Sequence, residues 1–252
     1  TAPTIGNVTI TVDFGDATIK RYSLDGGANW LDYTGPITVD QNQRIYFYSN
    51  ATDTERAFYY EVTNIDHSAP DAPVVTLSTT EMTNQDVVMT VTFAADAVTR
   101  QYSFDGQSWL DYAVPLTIAE NGTVYFRFAD ALGNADTSDF TVSNIDKVAP
   151  ERPVAMADIT APTNGNVTVS VVFPDDAALR QYSLDGGENW ASYTGALVFG
   201  ANQAICFRAV DAVGNVSEVT ELVVDNIDKL PPDKPEAAAD TTEITNQPVR
   251  VT

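Results

Sequence analysis

One histidine, one cysteine and a large excess of carboxylates bound the chemistry open to this chain. His67 is the only general base of its kind. Lys147 and Lys229 stand where it would recur, so a Ser-His-Asp arrangement could draw on His67 alone. Cys206, the single thiol, stands in the place of Tyr46 and Tyr125, so no nucleophile is shared along the chain. Neither a Gly-rich phosphate loop nor a metalloprotease motif is present. These residues point away from catalysis. Two groups keep chemical interest. Trp30, Trp109 and Trp190, with Tyr33, Tyr112 and Tyr193 three residues on, could stack on sugar rings if exposed, or pack over an edge or core if not. Carboxylates and amides recur around short turns, as in DALGN and DAVGN. They could offer oxygen ligands to a hard cation, or could simply build the turns, since Asp bonds its own backbone and Gly and Asn accept positive φ.

The elements that position these groups follow from composition and periodicity. The 252 residues are 44% hydrophobic and 10% aromatic, enough to bury cores. No apolar run approaches the ~18 residues that span a bilayer, and the first residues carry no leader pattern, so the expectation is a soluble chain without membrane insertion. With 35 Asp and Glu against 13 Lys and Arg, the net charge of −22 repels phosphate backbones and excludes nucleic acid as a partner. A single cysteine allows no disulfide within the chain, which fits a bacterial surface protein, or an intracellular one, better than a secreted eukaryotic chain of small bridged domains.

Internal repetition dominates. YSLDGGANW at 22–30 returns as YSFDGQSW at 102–109 and YSLDGGENW at 182–190, with Tyr22, Tyr102 and Tyr182 spaced 80 residues apart. NID recurs with its aspartate at Asp66, Asp146 and Asp228, each time running into a proline-rich stretch. That period exceeds the ~20–45 residues of a solenoid unit and suits a small autonomous domain. The expected organisation is 1–68 as a first repeat without its first strand, 69–148 as a second, 149–230 as a third, and 231–252 as the start of a fourth. The last assignment rests on TTEITNQPVRVT resembling TTEMTNQDVVMT at 79–90.

Val87, Met89, Val91 and Phe93 alternate with polar residues, as do Val8 to Phe14 and Val167 to Phe173, the period-2 pattern of half-buried strands. In the second repeat, strands are predicted near 73–78, 86–94, 99–105, 109–112, 114–119, 123–130 and 137–145. Seven short strands between turn signals predict an all-β fold of tandem immunoglobulin-like β-sandwich domains, beads on a string. Asn7, Asn50, Asn121, Asn166 and Asn215 each open an N-x-S/T triplet, which arises easily in so Thr- and Asn-rich a chain.

On YSLDGG–NW–YTG, the DAVGNVSE turn at 211–218 and the NID–K–PP–KP linker at 226–235, the chain resembles the tandem bacterial immunoglobulin-like (Big-type) repeats of large cell-surface adhesins. The resemblance implies an extracellular, cell-surface setting and calcium at the joints between repeats. In such a sandwich the loop after the second strand and the loop before the last share one end with the incoming linker. That would gather Asp66, Asp71, Asp96, Asp130 and Asn134 at the second repeat, and Asp146, Glu151, Asp175, Asp176, Asp211 and Asn215 at the third. Such a set could supply the about six to eight oxygens that Ca²⁺ takes. The first repeat departs from the pattern, because SNATDTERAF lacks the Gly-Asn turn.

The leading expectation is a structural stalk stiffened at proline-rich joints, each repeat partnered by its neighbours. It predicts buried tryptophans. The alternative is a repeated glycan- or protein-binding module, with exposed aromatics facing a host-surface or matrix ligand. A protein continuing on both sides, with strand exchange between copies at the ends, is a further expectation.

Overall fold

The structure, a computed structural model, describes residues 2–51, 54–240 and 242–251, with the backbone alone at 51 and 54–56. The tip of the SNATDTERAF segment, at 52 and 53, lies outside the described residues. Every described element is a strand. The chain divides into two compact units, Thr1–Asp146 and Lys147–Thr252.

In unit Thr1–Asp146 the first repeat contributes β1 (Val8–Ile10), β2 (Lys20–Ser23), β3 (Leu31–Asp32), β4 (Ile37–Val39), β5 (Gln43–Ala51) and β6 (Thr54–Val62). The second contributes β7 (Val74–Leu77), β8 (Val87–Thr92), β9 (Thr99–Ser103), β10 (Leu110–Asp111), β11 (Leu116–Ile118), β12 (Gly122–Ala129) and β13 (Ala135–Val142). The seven strands of the second repeat fall where alternation and turn residues place them. β8 shows the cause: Val87, Met89 and Val91 point inward and are buried, while Val88, Thr90 and Thr92 face out.

Two antiparallel sheets make this sandwich, in the orders β11-β8-β7 and β10-β9-β12-β13. Val87, Met89, Leu116 and Ile118 from one sheet meet Val124, Phe126, Phe128 and Val142 from the other. Phe126 is 0% exposed. The short β10 pairs with β9, Leu110 opposite Tyr102, and so joins the second sheet. In the immunoglobulin constant type the fourth strand belongs to the other sheet. Here the Asp-Gly turn, with Gly106 at φ 71°, reverses the chain tightly against β9.

The first repeat has the sheets β1-β4 and β3-β2-β5-β6 around a core of Ile10, Ile37, Val39, Ile45, Phe47 and Val62. Among the described residues no strand occupies the place that β7 takes on β8. Phe58, stacked on Phe47 at 5.2 Å, and Tyr60 accordingly stay 45% exposed.

Unit Lys147–Thr252 holds β14 (Val154–Ala157), β15 (Val167–Val172), β16 (Leu179–Ser183), β17 (Ala191–Ser192), β18 (Leu197–Phe199), β19 (Gln203–Val210) and β20 (Thr220–Val224). Its sheets run β14-β15-β18 and β17-β16-β19-β20 around Val167, Val169, Ile205, Phe207 and Val224. Beyond them, Ala239 bridges Val251 and the Asp240 amide donates to the Arg250 carbonyl at 3.1 Å. The same register pairs Leu77 with Met89 and Ser78 with Val88.

One tie recurs between the two sheets. The hydroxyls of Tyr33, Tyr112 and Tyr193 accept the backbone amides of Val12, Val91 and Val171 at 3.0, 2.8 and 3.1 Å. These tyrosines pack against the cores, as a structural role for them requires.

Candidate functional sites at the linker joints and outer sheet faces

The NID signature is where each module releases the chain. Ile65, Ile145 and Ile227 are buried and make parallel bridges to Thr4, Thr83 and Thr163. An asparagine grips each isoleucine by both backbone groups. Asn42, Asn121 and Asn202 donate to the carbonyls of Ile65, Ile145 and Ile227 at 2.8, 2.7 and 3.1 Å, and accept the same residues' amides at 2.9 Å each. The NID asparagines tie back to the strand opening: Asn144 Nδ2 reaches the carbonyls of Thr79 (3.2 Å) and Glu81 (2.9 Å), and Asn226 Nδ2 those of Ile159 (3.1 Å) and Ala161 (2.8 Å). The linker therefore leaves each module in one direction.

The turn before the last strand receives the incoming linker. Asp130 Oδ1 accepts the amides of Leu132 and Asn134, both at 2.9 Å, while Oδ2 accepts Asn134 Nδ2 at 2.9 Å. Asn134 Nδ2 also donates to the Asp66 carbonyl at 3.0 Å, clipping the linker to the second module. In the other unit, Asp211 Oδ1 accepts the amides of Val213, Gly214 and Asn215 at 3.0, 2.7 and 2.8 Å, and Oδ2 accepts Asn215 Nδ2 at 2.8 Å. Asn215 Nδ2 reaches the Val148 carbonyl at 3.3 Å. Burial acts to raise both carboxyls. The side-chain and backbone donors of the turn, led by Asn134 and Asn215, outweigh it and hold both below the ordinary carboxylate range.

Of the residues named as cation ligands, Asp130 with Asn134, and Asp211 with Asn215, do share a turn and meet the linker. Asp66 joins the first pair through its carbonyl, its own carboxylate accepting the Ser68 amide at 3.0 Å. Asp71, Asp96, Glu151, Asp175 and Asp176 lie exposed, and Asp146 is half-buried. Among the described residues no three His, Cys, Asp or Glu side chains converge on one point. The turn carboxylates already accept three and four N–H donors, and the asparagine amides present nitrogen to the linker carbonyl. As oriented here, that donor set serves amide recognition at the joint.

A second locked turn follows the tyrosine of each repeat. The buried Ser23, Ser103 and Ser183 donate to Asp25, Asp105 and Asp185 at 2.7, 2.8 and 2.6 Å. Backbone and side-chain donors from Asn29 and Asn189, together with the serines, lower Asp25 and Asp185 to about 2. The amides of Ser108 and Gln107 hold Asp105 lower still. The second glycine of this turn carries the next aromatic: Gly187, at φ 97°, would place a Cβ 3.4 Å from the Trp190 ring.

The tryptophans depart from the expectation of burial. All three are half-buried and belong to none of the core clusters. They lie on the outer face of the four-stranded sheets, because each precedes β3, β10 or β17 on the side opposite the core. Arg127 stacks its guanidinium 4.7 Å from the Trp109 ring, and Arg208 stacks 4.1 Å from Trp190. Gln101 and Gln181 steer these arginines, accepting from their Nε at 3.1 and 2.8 Å. In the first repeat Tyr48 takes the arginine's place and meets Trp30 edge-on, centroids 5.8 Å apart at 62°.

Cys206 is buried in β19. Burial, with the nearby carboxylates of Glu221 and Asp185, pushes its thiol up, away from nucleophilic character. His67 is exposed in the linker, its Nε2 3.0 Å from the Ile5 carbonyl.

No protein-family model matches the chain. A curated protein, the N,N'-diacetylchitobiase of Vibrio harveyi, is 25% identical over 220 residues, covering 74% of this chain and 24% of its own length. The chain thus spans about a quarter of the curated relative it matches. Similar solved structures include the mouse nectin-like molecule 4 ectodomain (Ig1–Ig3; 11% identity, 92% of this chain and 98% of that one, TM-score 0.37). The fibronectin(III)-like modules of Clostridium thermocellum CbhA are 13% identical over 65% of this chain and 100% of theirs, with a TM-score of 0.29. The FN1–FN3 domains of chicken CNTN1 are 10% identical over 88% of this chain and 96% of theirs, with a TM-score of 0.25.

Proposed function

We propose that this chain is a structural spacer of an extracellular bacterial protein, a series of sandwich modules held at proline-rich joints and without catalysis of its own. The observation that carries the proposal is the asparagine clip, Asn134 on the Asp66 carbonyl, at the joint within the first unit. A flexible linker would need no such contact. Here the Asn42 clamp on Ile65 fixes how the chain leaves the first module, and the clip fixes how it is received. The acidic surface keeps such a segment soluble and apart from its neighbours.

Spin labels at Thr11→Cys and Thr117→Cys, in a Cys206→Ser background, test it. The distance distribution should be narrow and should broaden in Asn134→Ala. A broad distribution in the unaltered joint would sink the spacer reading.

A second reading, a saccharide-binding module, is favoured by one observation: the tryptophans occupy outer sheet faces and not the cores. The curated relative carries a name built on N,N'-diacetylchitobiose, which brings saccharides to this chain as the ligand class to test.

A further inference from the structure

The three outer sheet faces are not equivalent. Opposite Trp109 and Trp190 stand Arg127 and Arg208, capping the indole rings. One step along the same strands come Tyr125 and Cys206, and beside these, on the last strand, Asp139 and Glu221. The first repeat sets Tyr48 in place of the arginine and Tyr59 in place of the acidic residue, and keeps at Tyr46 the tyrosine that the second repeat has at Tyr125. Four aromatic rings therefore share one face. Trp30 and Tyr48 meet edge-on and, with Ile19 and Arg21, line a shallow cleft of about 190 Å³. Tyr46 and Tyr59 form a second station, centroids 5.9 Å apart and tilted at 45°. Along β5 the two stations are roughly 7 Å apart, two residues of extended chain.

We propose that this face, centred on Trp30 and Tyr48 with Tyr46 and Tyr59 as a second station, binds a neutral oligosaccharide. The proposal rests on the saccharide reading above and assigns the site to the first repeat alone. The rim decides the ligand class. Arg21 pairs with Asp32 at 3.3 Å and Arg44 with Glu61 at 3.2 Å, so among the described residues the two guanidiniums on the face are already neutralised. An anionic glycan would gain no free cation there among the described residues and would meet a chain of net charge −22. An apolar helix or strand laid on the face would strip water from both ion pairs, a cost that rim charges rarely return. A hydroxyl-rich ring avoids that conflict. Its C–H face covers an aromatic ring, while its hydroxyls donate to Asp32 or Glu61 and accept from Arg21 or Arg44. Apolar walls with a few fixed polar groups are the general design of small-molecule sites.

The test titrates the full chain with cellotriose, maltotriose, mannotriose and N,N',N''-triacetylchitotriose, all neutral, with an acidic trigalacturonate as control, reading heat and indole NMR shifts together. At least one neutral triose should bind, the trigalacturonate should not, and the Trp30 indole should shift. Trp30→Ala and Tyr59→Asp should each weaken binding about tenfold or more. Tyr59 is 55% exposed, so Tyr59→Asp should keep the wild-type melting temperature and isolates ligand contact from folding. Binding by none of the trioses overturns both the proposal and the saccharide reading. Binding that survives Trp30→Ala and Tyr59→Asp but is lost in Trp109→Ala or Trp190→Ala leaves the saccharide reading standing and overturns the assignment to this face.

Discussion

The Tyr112 hydroxyl accepts the Val91 backbone amide at 2.8 Å, joining the two sheets of the second sandwich through a single hydrogen bond. Val91 is buried, so its amide has no water to turn to if the hydroxyl is removed. Tyr112→Phe keeps the ring that packs on Phe93 and deletes only the acceptor. The loss should be about 1–2 kcal/mol, the desolvation cost of an orphaned amide. Urea melts of wild type and variant measure it, and a midpoint unchanged at equal slope would contradict the tie.

Acid should act on the serine-aspartate turns. Asp185 titrates at about 2 in the folded chain against an ordinary 3.8. Its folded value is depressed, so the unfolded chain binds the proton first as pH falls. The stabilisation is complete above about pH 4 and is lost as pH drops through about 2. Asp25, also at about 2, adds a contribution of the same sign in the first unit. Asp185→Asn should lower the melting temperature at pH 6 to 8 without giving it a pH slope there, and should flatten the pH dependence between pH 4 and 2. A variant with the wild-type acid slope would show that the turn is not the titrating element.

The outer position of the tryptophans sets a different scale for their removal. Phe126→Ala, deep in the core, should cost about 3–5 kcal/mol. Trp109→Ala loses one face of packing and a cation–π contact, for a cost of about 1–2 kcal/mol. Its fluorescence should fall between buried and free indole, and quenching by iodide in Arg127→Ala should exceed that of the parent. Equal destabilisation by Phe126→Ala and Trp109→Ala would return the tryptophan to the core.

These differences trace what the sequence could say. The alternation Val87-x-Met89-x-Val91 marks a face directly, because a strand repeats every two residues, and all three are buried. Trp109 leads into a two-residue strand, too short for alternation to declare which face it takes. Only the pairing of Leu110 with Tyr102 settles that. The asparagine clamps were legible in principle: Asn42, Asn121 and Asn202 recur before the buried isoleucines, at separations of 23, 24 and 25 residues. The aspartates of DALGN and DAVGN were found, but not the direction of their lone pairs. Composition counts oxygens, and only geometry shows that amides already hold them.

The joint offers the sharpest test, because a clip and a calcium shell require opposite orientations of one side chain. With Nδ2 toward the Asp66 carbonyl and Asp130 Oδ2, Asn134 donates two hydrogen bonds. Turned over, it would set its oxygen against two others, an arrangement that only a cation between them reconciles. The clip predicts that Asn134→Asp, which exchanges the donating nitrogen for a charged oxygen beside Asp130, lowers the melting temperature of the chain in chelator. Millimolar Ca²⁺ should leave the wild-type melting temperature where EDTA leaves it. For Asn134→Asp, with three facing oxygens and an added charge, Ca²⁺ should restore part of the loss, since the substitution gathers the charged oxygens that a hard cation takes. Calorimetric melts of both proteins in EDTA and in Ca²⁺ decide it. A wild-type melting temperature that rises with Ca²⁺ would show that Asn134 turns over to bind metal, and the clip would then be only the metal-free form of the joint.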